Sequence, residues 1–291
     1  MHRTIMDPAL LAVAEAMNII RQAQQLGAPT RLQVKSDATI VTPTDKQVEQ
    51  FLHDRLRGLP NVGTFIGEEG AASNGEGELT LMVDPLDGTR AFACGLATST
   101  IIVAATHPER GVVLCVVGEP STGRIWSATE EDPTELRVTH FRGNALHMTS
   151  PVSVRVWDGD LGPRSVVLMD VSHGFQRGER QILRDSAVRA IMHSVSEKAI
   201  LLMPGSNGLH FAMVANGGTG MAGQITTAVG GPWDIAGALL VQQAGGYATG
   251  WKVVGERALE SRDPRHIHDC DIVVSGNNEG TVEQLIDCLY T

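Results

Sequence analysis

One stretch near residue 85 constrains this chain more than any other. An apolar run over residues 79–83 ends in Asp84-Pro85-Leu86-Asp87-Gly88-Thr89, which brings two carboxylates, a turn and a hydroxyl together. Asp-Pro and Asp-Gly are also common in ordinary turns. The pattern therefore predicts either a simple chain reversal or a polar site at the end of a strand.

Two further acidic residues, Glu68 and Glu69, follow another short apolar segment. If these carboxylates converge with Asp84 and Asp87, each pair ~4 Å apart costs roughly 4 kcal/mol at an effective dielectric constant of about 20. Such a cluster stays ionised only beside a compensating cation. Oxygen donors of this kind favour magnesium, calcium or manganese over zinc. The first hypothesis is therefore a divalent-cation site that handles phosphate.

Composition narrows the function classes. The 291 residues, 42% of them hydrophobic, suffice for one large domain or two closely packed ones. The formal charge of 23 − 33 = −10 argues against non-specific binding of nucleic acid. No signal-peptide pattern or membrane-length apolar run is found, and the four cysteines lack a CxxC pattern. These features predict a cytoplasmic enzyme with reduced thiols and no membrane partner.

The first half of the chain predicts two helices on an antiparallel sheet. Asp7-Pro8 is typical of a helix start, and Gly27 ends that amphipathic run. Thr44-Asp45-Lys46-Gln47 has the form of a capping box for a second helix that ends at Gly58. Short β-branched runs separated by tight turns then predict antiparallel strands at residues 98–105, 112–117 and 125–128.

The second half predicts a smaller α/β arrangement. Residues 150–163 are interpreted as a boundary that divides the chain into 1–149 and 150–291. Beyond it, predicted strands and helices alternate. The predicted strands are 165–169, 199–202 and 272–274, and the predicted helices are 181–193, 209–215, 233–244 and 282–289.

A third acidic motif favours the divalent-cation site over a simple turn. Asp234 lies in Trp233-Asp234-Ile235-Ala236-Gly237 and, taken alone, indicates a helix cap. Together with Gly67-Glu68-Glu69 and the stretch from Asp84 to Thr89, in this order and spacing, it resembles the inositol monophosphatase family of magnesium-dependent, lithium-sensitive phosphatases. The similarity extends from about Asp7 to the last predicted helix.

The resemblance implies a layered αβαβα sandwich of mixed α+β and α/β character, and a site with two to three magnesium ions. Glu68, Asp84 and the carbonyl of Leu86 would hold one ion, and Asp84, Asp87 and Asp234 a second. Glu68 would also contribute to a third. Metals of this kind polarise phosphoryl oxygens and lower the pKa of bound water.

The resemblance also implies catalytic and substrate-binding roles. Asp45 and Thr89 would orient and deprotonate the attacking water, with Glu68 also catalytic through its metal. The backbone at Gly88 and Thr89 would receive the phosphate. The remaining substrate-binding candidates are Gly205, Ser206, Asn207, Gln224 and Asp234.

Substrate identity is less constrained. Inositol-preferring members carry a glutamate seven residues before the Asp of the Trp-Asp motif, where this chain has Thr227. The sequence therefore predicts a phosphomonoesterase for a small sugar or polyol phosphate. The alternatives are a 3′(2′),5′-bisphosphate nucleotidase, a fructose-1,6-bisphosphatase and a non-catalytic phosphate-binding regulator. The family resemblance also implies a homodimer.

Overall fold

The computed structural model describes residues 3–27, 32–35, 40–142, 145–170, 182–228, 230–254 and 258–290. Within these ranges no helix is both long and apolar enough to cross a membrane.

The described residues form seven α-helices and seventeen strands. The helices are α1 Arg3–Gln25, α2 Pro43–Leu56, α3 Thr89–Ala93, α4 Asp185–Lys198, α5 Asn207–Ala215, α6 Ala238–Gln243 and α7 Glu279–Asp287. The strands of the first half are β1 Gln33–Val34, β2 Ile40–Val41, β3 Val62–Gly67, β4 Ala72–Asn74, β5 Leu79–Asp87, β6 Thr100–His107, β7 Gly111–Glu119, β8 Arg124–Thr129, β9 Glu135–Arg142, β10 Ala145–Met148 and β11 Val152–Ser153. Those of the second half are β12 Val166–Asp170, β13 Ile200–Leu202, β14 Met221–Thr227, β15 Tyr247–Val254, β16 Ala258–Arg262 and β17 Ile272–Gly276.

Five layers stack in the order helix, sheet, helix, sheet, helix. Helices α1 and α2 bury one face of a nine-stranded sheet made of β3 to β11, with Met17, Leu52 and Phe65 in the shared core. Helices α5 and α6 lie between that sheet and a six-stranded second sheet made of β12 to β17. Helices α4 and α7 cover the far face of the second sheet. The predicted αβαβα sandwich is confirmed.

The middle helical layer joins the two sheets through one core. Trp126 of the first sheet, Phe211 of α5 and Val273 of the second sheet belong to a single buried cluster. Because the site lies beside this layer, groups from both halves of the chain reach it. The proposed division at residue 149/150 stays a prediction.

The first sheet differs from its prediction in one strand pair. Its strands run antiparallel except that β3 and β5 pair in parallel. Parallel neighbours end at the same edge, so Gly67 and Val83 stand side by side and deliver Glu68 and Asp84 to one place. Beyond the predicted elements, β9, β10 and β11 extend the sheet.

Helix boundaries also differ from the prediction. Helix α1 begins at Arg3, so Pro8 lies inside it rather than at its start. Pro8 lacks the amide that would otherwise donate to the backbone four residues earlier, so it removes one hydrogen bond from the second turn of the helix. Helix α2 is capped by Thr42, not Thr44, because the Thr42 hydroxyl accepts from the Asp45 amide while Asp45 accepts from the Thr42 amide. Pro43 occupies the first helical position.

The predicted helix over residues 233–244 is divided in two. A 3₁₀ turn, Pro232–Ile235, precedes α6, and Gly237 lies between them. A Cβ at Gly237 would lie 2.6 Å from the Cβ of Phe211, so the two helical segments approach α5 closely at this glycine. The helix predicted over residues 181–193 is α4, and position 181 lies outside the described residues.

Candidate active site

The end of β5 turns two carboxylates away from the sheet. The pairing of β5 with β6 shifts register between Asp84 and Asp87, at Pro85, which has no amide to give to the ladder. Asp84 Oδ1 instead accepts a 3.0 Å hydrogen bond from the amide of Leu86. Pro85 thus interrupts the hydrogen bonding between β5 and β6 at the point where the two acidic residues lie.

Asp234 joins this pair from the second half of the chain. One carboxylate oxygen from each of Asp84, Asp87 and Asp234 lies within 4.8 Å of the others, and all three residues are buried. The 3₁₀ turn fixes Asp234, whose Oδ2 accepts from the amides of Gly230 (2.7 Å) and Gly231 (3.2 Å). Asp234 is thus not the N-cap that its sequence position suggests but the third residue of the turn, where it accepts from the amide of the N-cap, Gly231. The same carboxylate also faces the acidic cluster.

Burial and mutual repulsion set the electrostatics of this acidic cluster. Burial, and then the charges of Glu68, Asp87 and Asp234, raise the pKa of Asp84 well above its usual range. Burial and the charges of Asp87 and Glu68 do the same to the pKa of Asp234. Burial also raises the pKa of Glu68, against the attraction of Lys35. Each carboxylate is therefore costly to ionise without a neighbouring cation.

The donor set fits a hard divalent cation. Among the described residues, no lysine or arginine lies within ion-pair distance of Asp84, Asp87 or Asp234, while Lys35 reaches only Glu68 (3.3 Å) and Glu69 (2.7 Å). Buried carboxylates in this arrangement need a compensating charge. Carboxylate oxygens so close together are the donors that magnesium or manganese prefers.

Asp87 is held by Thr100 of β6 and by the start of α5 in the second half of the chain. Its Oδ2 accepts from the hydroxyls of Ser206 (2.6 Å) and Thr100 (2.8 Å) and from the amide of Gly208 (2.7 Å). Its Oδ1 accepts from the amide of Asn207 at 3.1 Å. Burial raises the pKa of Asp87, and these hydrogen bonds lower it; burial has the larger effect, so the pKa is raised on balance. The start of α5 therefore orients one of the three clustered carboxylates.

Asp45 and Thr89 form a pair beside the acidic cluster. The Thr89 hydroxyl lies 2.8 Å from Asp45 Oδ1 and 3.0 Å from the carbonyl oxygen of Leu86. Asp45 Oδ2 is held by the amide and hydroxyl of Thr42, the cap of α2. Burial raises the pKa of Asp45, although the bonds from Thr42 and Thr89 oppose the rise.

A buried glutamate fixes the turn that carries Glu68. The two carboxylate oxygens of Glu49 accept from the amides of Glu69 (2.6 Å) and Ala71 (2.7 Å). A Cβ at Gly67 would lie only 2.2 Å from Glu49 Oε2, so a glycine is needed at this close approach. Helix α2 thereby positions both Asp45 and the turn after β3.

A cavity of about 390 Å³ opens over the acidic cluster. Its inner part is lined by carboxylates, including Glu68 and Asp170. Its outer part is lined by residues of α3 and by the segment before α5, including Leu96 and Met203. A small molecule entering the cavity would therefore meet the acidic cluster at its inner end.

The family assignment follows from the whole chain. A model of the inositol monophosphatase family matches residues 2–288. The chain belongs to the inositol monophosphatase family. It is a phosphoric monoester hydrolase, as the family relationship predicts.

The similarity to other members of this family extends over most of each chain. The chain is 31% identical to inositol monophosphatase 2 of Solanum lycopersicum, over 82% of this chain and 84% of the relative. It is 30% identical to inositol-1-monophosphatase of Rhizobium meliloti, over 78% of this chain and 79% of the relative. The fold matches the extragenic suppressor protein SuhB of Bartonella henselae with a TM-score of 0.75 at 19% identity, covering 98% of each chain.

The structure brings most of the predicted family residues to one cavity. Its lining includes Glu68, Asp84, Leu86, Asp87, Gly88, Thr89, Gly205, Asn207 and Asp234. Asp45 lies behind this lining, fully buried, and reaches the site through Thr89.

Two predicted substrate-binding residues lie elsewhere. Ser206 is fully buried and does not line the cavity, because its hydroxyl is used by Asp87 and by the cap of α5, where it accepts from Leu209. Gln224 is also fully buried and outside the lining, since it points from β14 toward the Ser275 hydroxyl at 3.0 Å. Neither side chain is placed to contact a ligand in the cavity.

Three residues near this family site were not assigned roles from sequence. Lys35 pairs with Glu68 and Glu69, Thr100 bonds Asp87, and Asp170 lines the cavity near Asp234. Asp170 ends β12, so a search for carboxylates at predicted strand ends would have found it. Lys35 and Thr100 carry no comparable local pattern.

Proposed function

We propose that this chain hydrolyses a small phosphate monoester by attack of a metal-activated water. The observation that carries the proposal is the convergence of Asp84, Asp87 and Asp234 within 4.8 Å at the inner end of the cavity. A phosphate ester bound there would present its phosphorus to the acidic cluster.

The proposed metal is magnesium, with two to three ions per site. Glu68, Asp84 and the Leu86 carbonyl are proposed to hold one ion, and Asp84, Asp87 and Asp234 another, with Glu68 also serving a third. When bound, magnesium would supply charge to the phosphoryl oxygens and acidify a coordinated water. The raised pKa values of Asp84 and Asp234 support this assignment, because a cation would let both carboxylates ionise.

Asp45 and Thr89 are proposed to orient the attacking water and take its proton. The Thr89 hydroxyl, 2.8 Å from Asp45 Oδ1, lines the cavity, whereas Asp45 itself is buried. A proton released at Thr89 Oγ1 would therefore have a carboxylate acceptor within one hydrogen bond. The capping bonds from Thr42 fix that carboxylate in place.

The phosphate is proposed to lie against the backbone of Gly88 and Thr89. Gly88 has a φ of +85°, and a Cβ there would lie 2.7 Å from the carbonyl oxygen of Gly205. Only glycine fits both the left-handed backbone and this close contact. Gly205 and Asn207, which line the cavity, are the proposed substrate contacts from the second half, and Asp234 is proposed to contact both the metal and the substrate.

The substrate predicted from sequence is a sugar or polyol phosphate, with an adenosine bisphosphate as the second class. The assignments as a homodimer, as lithium-sensitive and as cytoplasmic stay predictions.

The proposal is tested by phosphate release from a panel of esters, including inositol 1-phosphate and p-nitrophenyl phosphate. Release is expected only with added magnesium, and millimolar lithium is expected to suppress it. Full activity in excess EDTA would contradict the metal mechanism. Absence of release from every ester with magnesium present would contradict the proposed hydrolysis.

A further inference from the structure

The outer half of the cavity differs sharply from its acidic inner end. Helix α3 starts at Thr89, beside the acidic cluster, and rises about 1.5 Å per residue. The cavity lining continues along it through Ala91 to Cys94 and Leu96. The lining therefore continues from the buried acidic cluster toward the exposed Leu96, where the leaving group of a phosphate ester bound at the cluster would lie.

Apolar side chains dominate the lining along this direction. Ile40, Met203 and Pro204 also line the cavity, and the Pro204 carbonyl accepts a 2.9 Å hydrogen bond from the Thr98 hydroxyl. Leu96 is 54% exposed and Met203 is 41% exposed. Large apolar side chains left this open to water on a cavity lining gain by being covered.

Few side chains along the outer lining can bind a hydroxyl. Among the described lining residues from Arg90 to Leu96 and from Met203 to Gly205, only Arg90 and Cys94 carry a side-chain hydrogen-bonding group. Asn207 and Asp170 also line the cavity, but they lie next to Asp87 and Asp234 of the acidic cluster. Thr227, at the position where inositol-preferring members carry glutamate, and Gln224, the nearest long polar side chain, are buried and outside the lining. The hydroxyls of a polyol ring bound here would lose their hydrogen bonds to water and find few protein partners, which costs binding free energy.

We propose that the leaving group recognised by this chain presents an apolar ring face, aromatic or aliphatic, to Ile40, Leu96 and Met203. This inference rests on the proposed phosphatase function and specifies its substrate class. It favours an ester with an apolar ring over a polyol phosphate of equal size.

The test compares cyclohexyl phosphate with inositol 1-phosphate, which share a six-membered ring and differ in its hydroxyls. The hydroxyls of inositol make it the better leaving group, so intrinsic reactivity opposes the expected preference. We expect kcat/KM for cyclohexyl phosphate to be at least tenfold higher. An equal or higher value for inositol 1-phosphate would overturn the inference while leaving metal-dependent hydrolysis intact.

Variants locate the preference on the outer lining. Leu96→Asn and Met203→Gln keep the approximate side-chain size, and both positions are exposed enough to tolerate a polar group. Each is expected to lower the ratio of the two kcat/KM values three- to tenfold. Leu202→Asn is the matched control, because Leu202 is 46% exposed but lies outside the cavity, and its ratio is expected to equal that of the wild type.

The outcomes separate the two proposals. A ratio that falls equally in all three variants, or in none, would overturn the assignment of the apolar lining. If neither ester nor p-nitrophenyl phosphate released phosphate with magnesium present, the proposed function and this inference would both be overturned.

Discussion

The hydroxyl of Ser206 donates a 2.6 Å hydrogen bond to Asp87 Oδ2, although the two residues are 119 positions apart. The same hydroxyl accepts from the amide of Leu209 and so caps α5. One side chain thus couples the start of a helix in the middle layer to a carboxylate of the acidic cluster. The integrity of the proposed metal site depends on contact between the two halves of the chain.

Ser206→Ala is expected to lower the free energy of unfolding by about 2 kcal/mol, because it removes a helix cap and a bond to a buried carboxylate. It is also expected to weaken magnesium binding, since Asp87 loses one orienting group. Denaturant unfolding and magnesium titration measure the two effects. Ser196→Ala, which removes an exposed hydroxyl bonded to the His193 carbonyl, is the control with little expected change. Equal stability of the two variants would contradict this role.

Thr89→Val is expected to lower kcat by about 10²–10⁴-fold with the fold intact, because the hydroxyl beside Asp45 is lost while side-chain volume is kept. Thr89→Ser retains the hydroxyl and is expected to keep most of the activity. Steady-state kinetics and circular dichroism of both variants test the pair. Similar activity in Val and Ser variants would show that the hydroxyl takes no part in proton transfer.

Asp84→Asn is expected to stabilise the metal-free protein, because burial and three neighbouring carboxylates raise the pKa of Asp84 and make its charge costly. The amide oxygen can still accept from Leu86. Magnesium is expected to raise the melting temperature of the wild type by binding only the folded state, and to have little effect on the variant. Asp54→Asn, at a 55% exposed side chain, is the control. A variant stabilised by magnesium as much as the wild type would contradict the ligand assignment.

His210 gives a prediction about pH that is independent of the proposed metal ligands. It is fully buried on α5, neither ring nitrogen has a hydrogen-bond partner among the described residues, and burial lowers its pKa to about 4 despite the nearby charge of Asp170. The unfolded chain has the ordinary histidine pKa near 6.5 and so binds a proton first as pH falls. The contribution of neutral His210 to the free energy of unfolding is therefore fully present above about pH 6.5 and is lost as the pH falls from 6.5 to 4.

Because of His210, the free energy of unfolding is expected to fall by about 2 kcal/mol between pH 7 and pH 5. His210→Leu is expected to remove that part of the pH dependence, because leucine does not titrate. Denaturant unfolding at both pH values measures it, with His193→Leu as the control at an exposed histidine. If wild type and His210→Leu lose equal stability on acidification, His210 is not the titrating group.

Local motifs predicted the acidic cluster because each of its members ends a short apolar segment or starts a turn. Asp84, Asp87 and Asp234 are named by patterns that span fewer than ten residues, and β-branched periodicity predicted most of their neighbouring strands. The cap of α2 was misplaced by two residues, since Thr42 with Asp45 and Thr44 with Gln47 both have the spacing of a capping box. Only the bonds to Asp45 distinguish them.

Long-range contacts could not be predicted in the same way. The family resemblance implied that Ser206 faces the substrate, whereas its bond to Asp87 depends on how α5 lies between two sheets. Thr100 reaches the site only through the sheet register, so its role follows from tertiary structure alone. Asp170 lies at the end of a predicted strand and could have been found from sequence, but its position beside Asp234 depends on how the layers stack.

The central claim is that Asp84, Asp87 and Asp234 together hold a divalent cation. Binding of Mn²⁺, followed by loss of its free electron paramagnetic resonance signal, tests it directly in wild type and Asp234→Asn. We expect the wild type to bind Mn²⁺ in competition with Mg²⁺ and the variant to bind it at least tenfold more weakly. Equal Mn²⁺ affinity in the two proteins would contradict the claim.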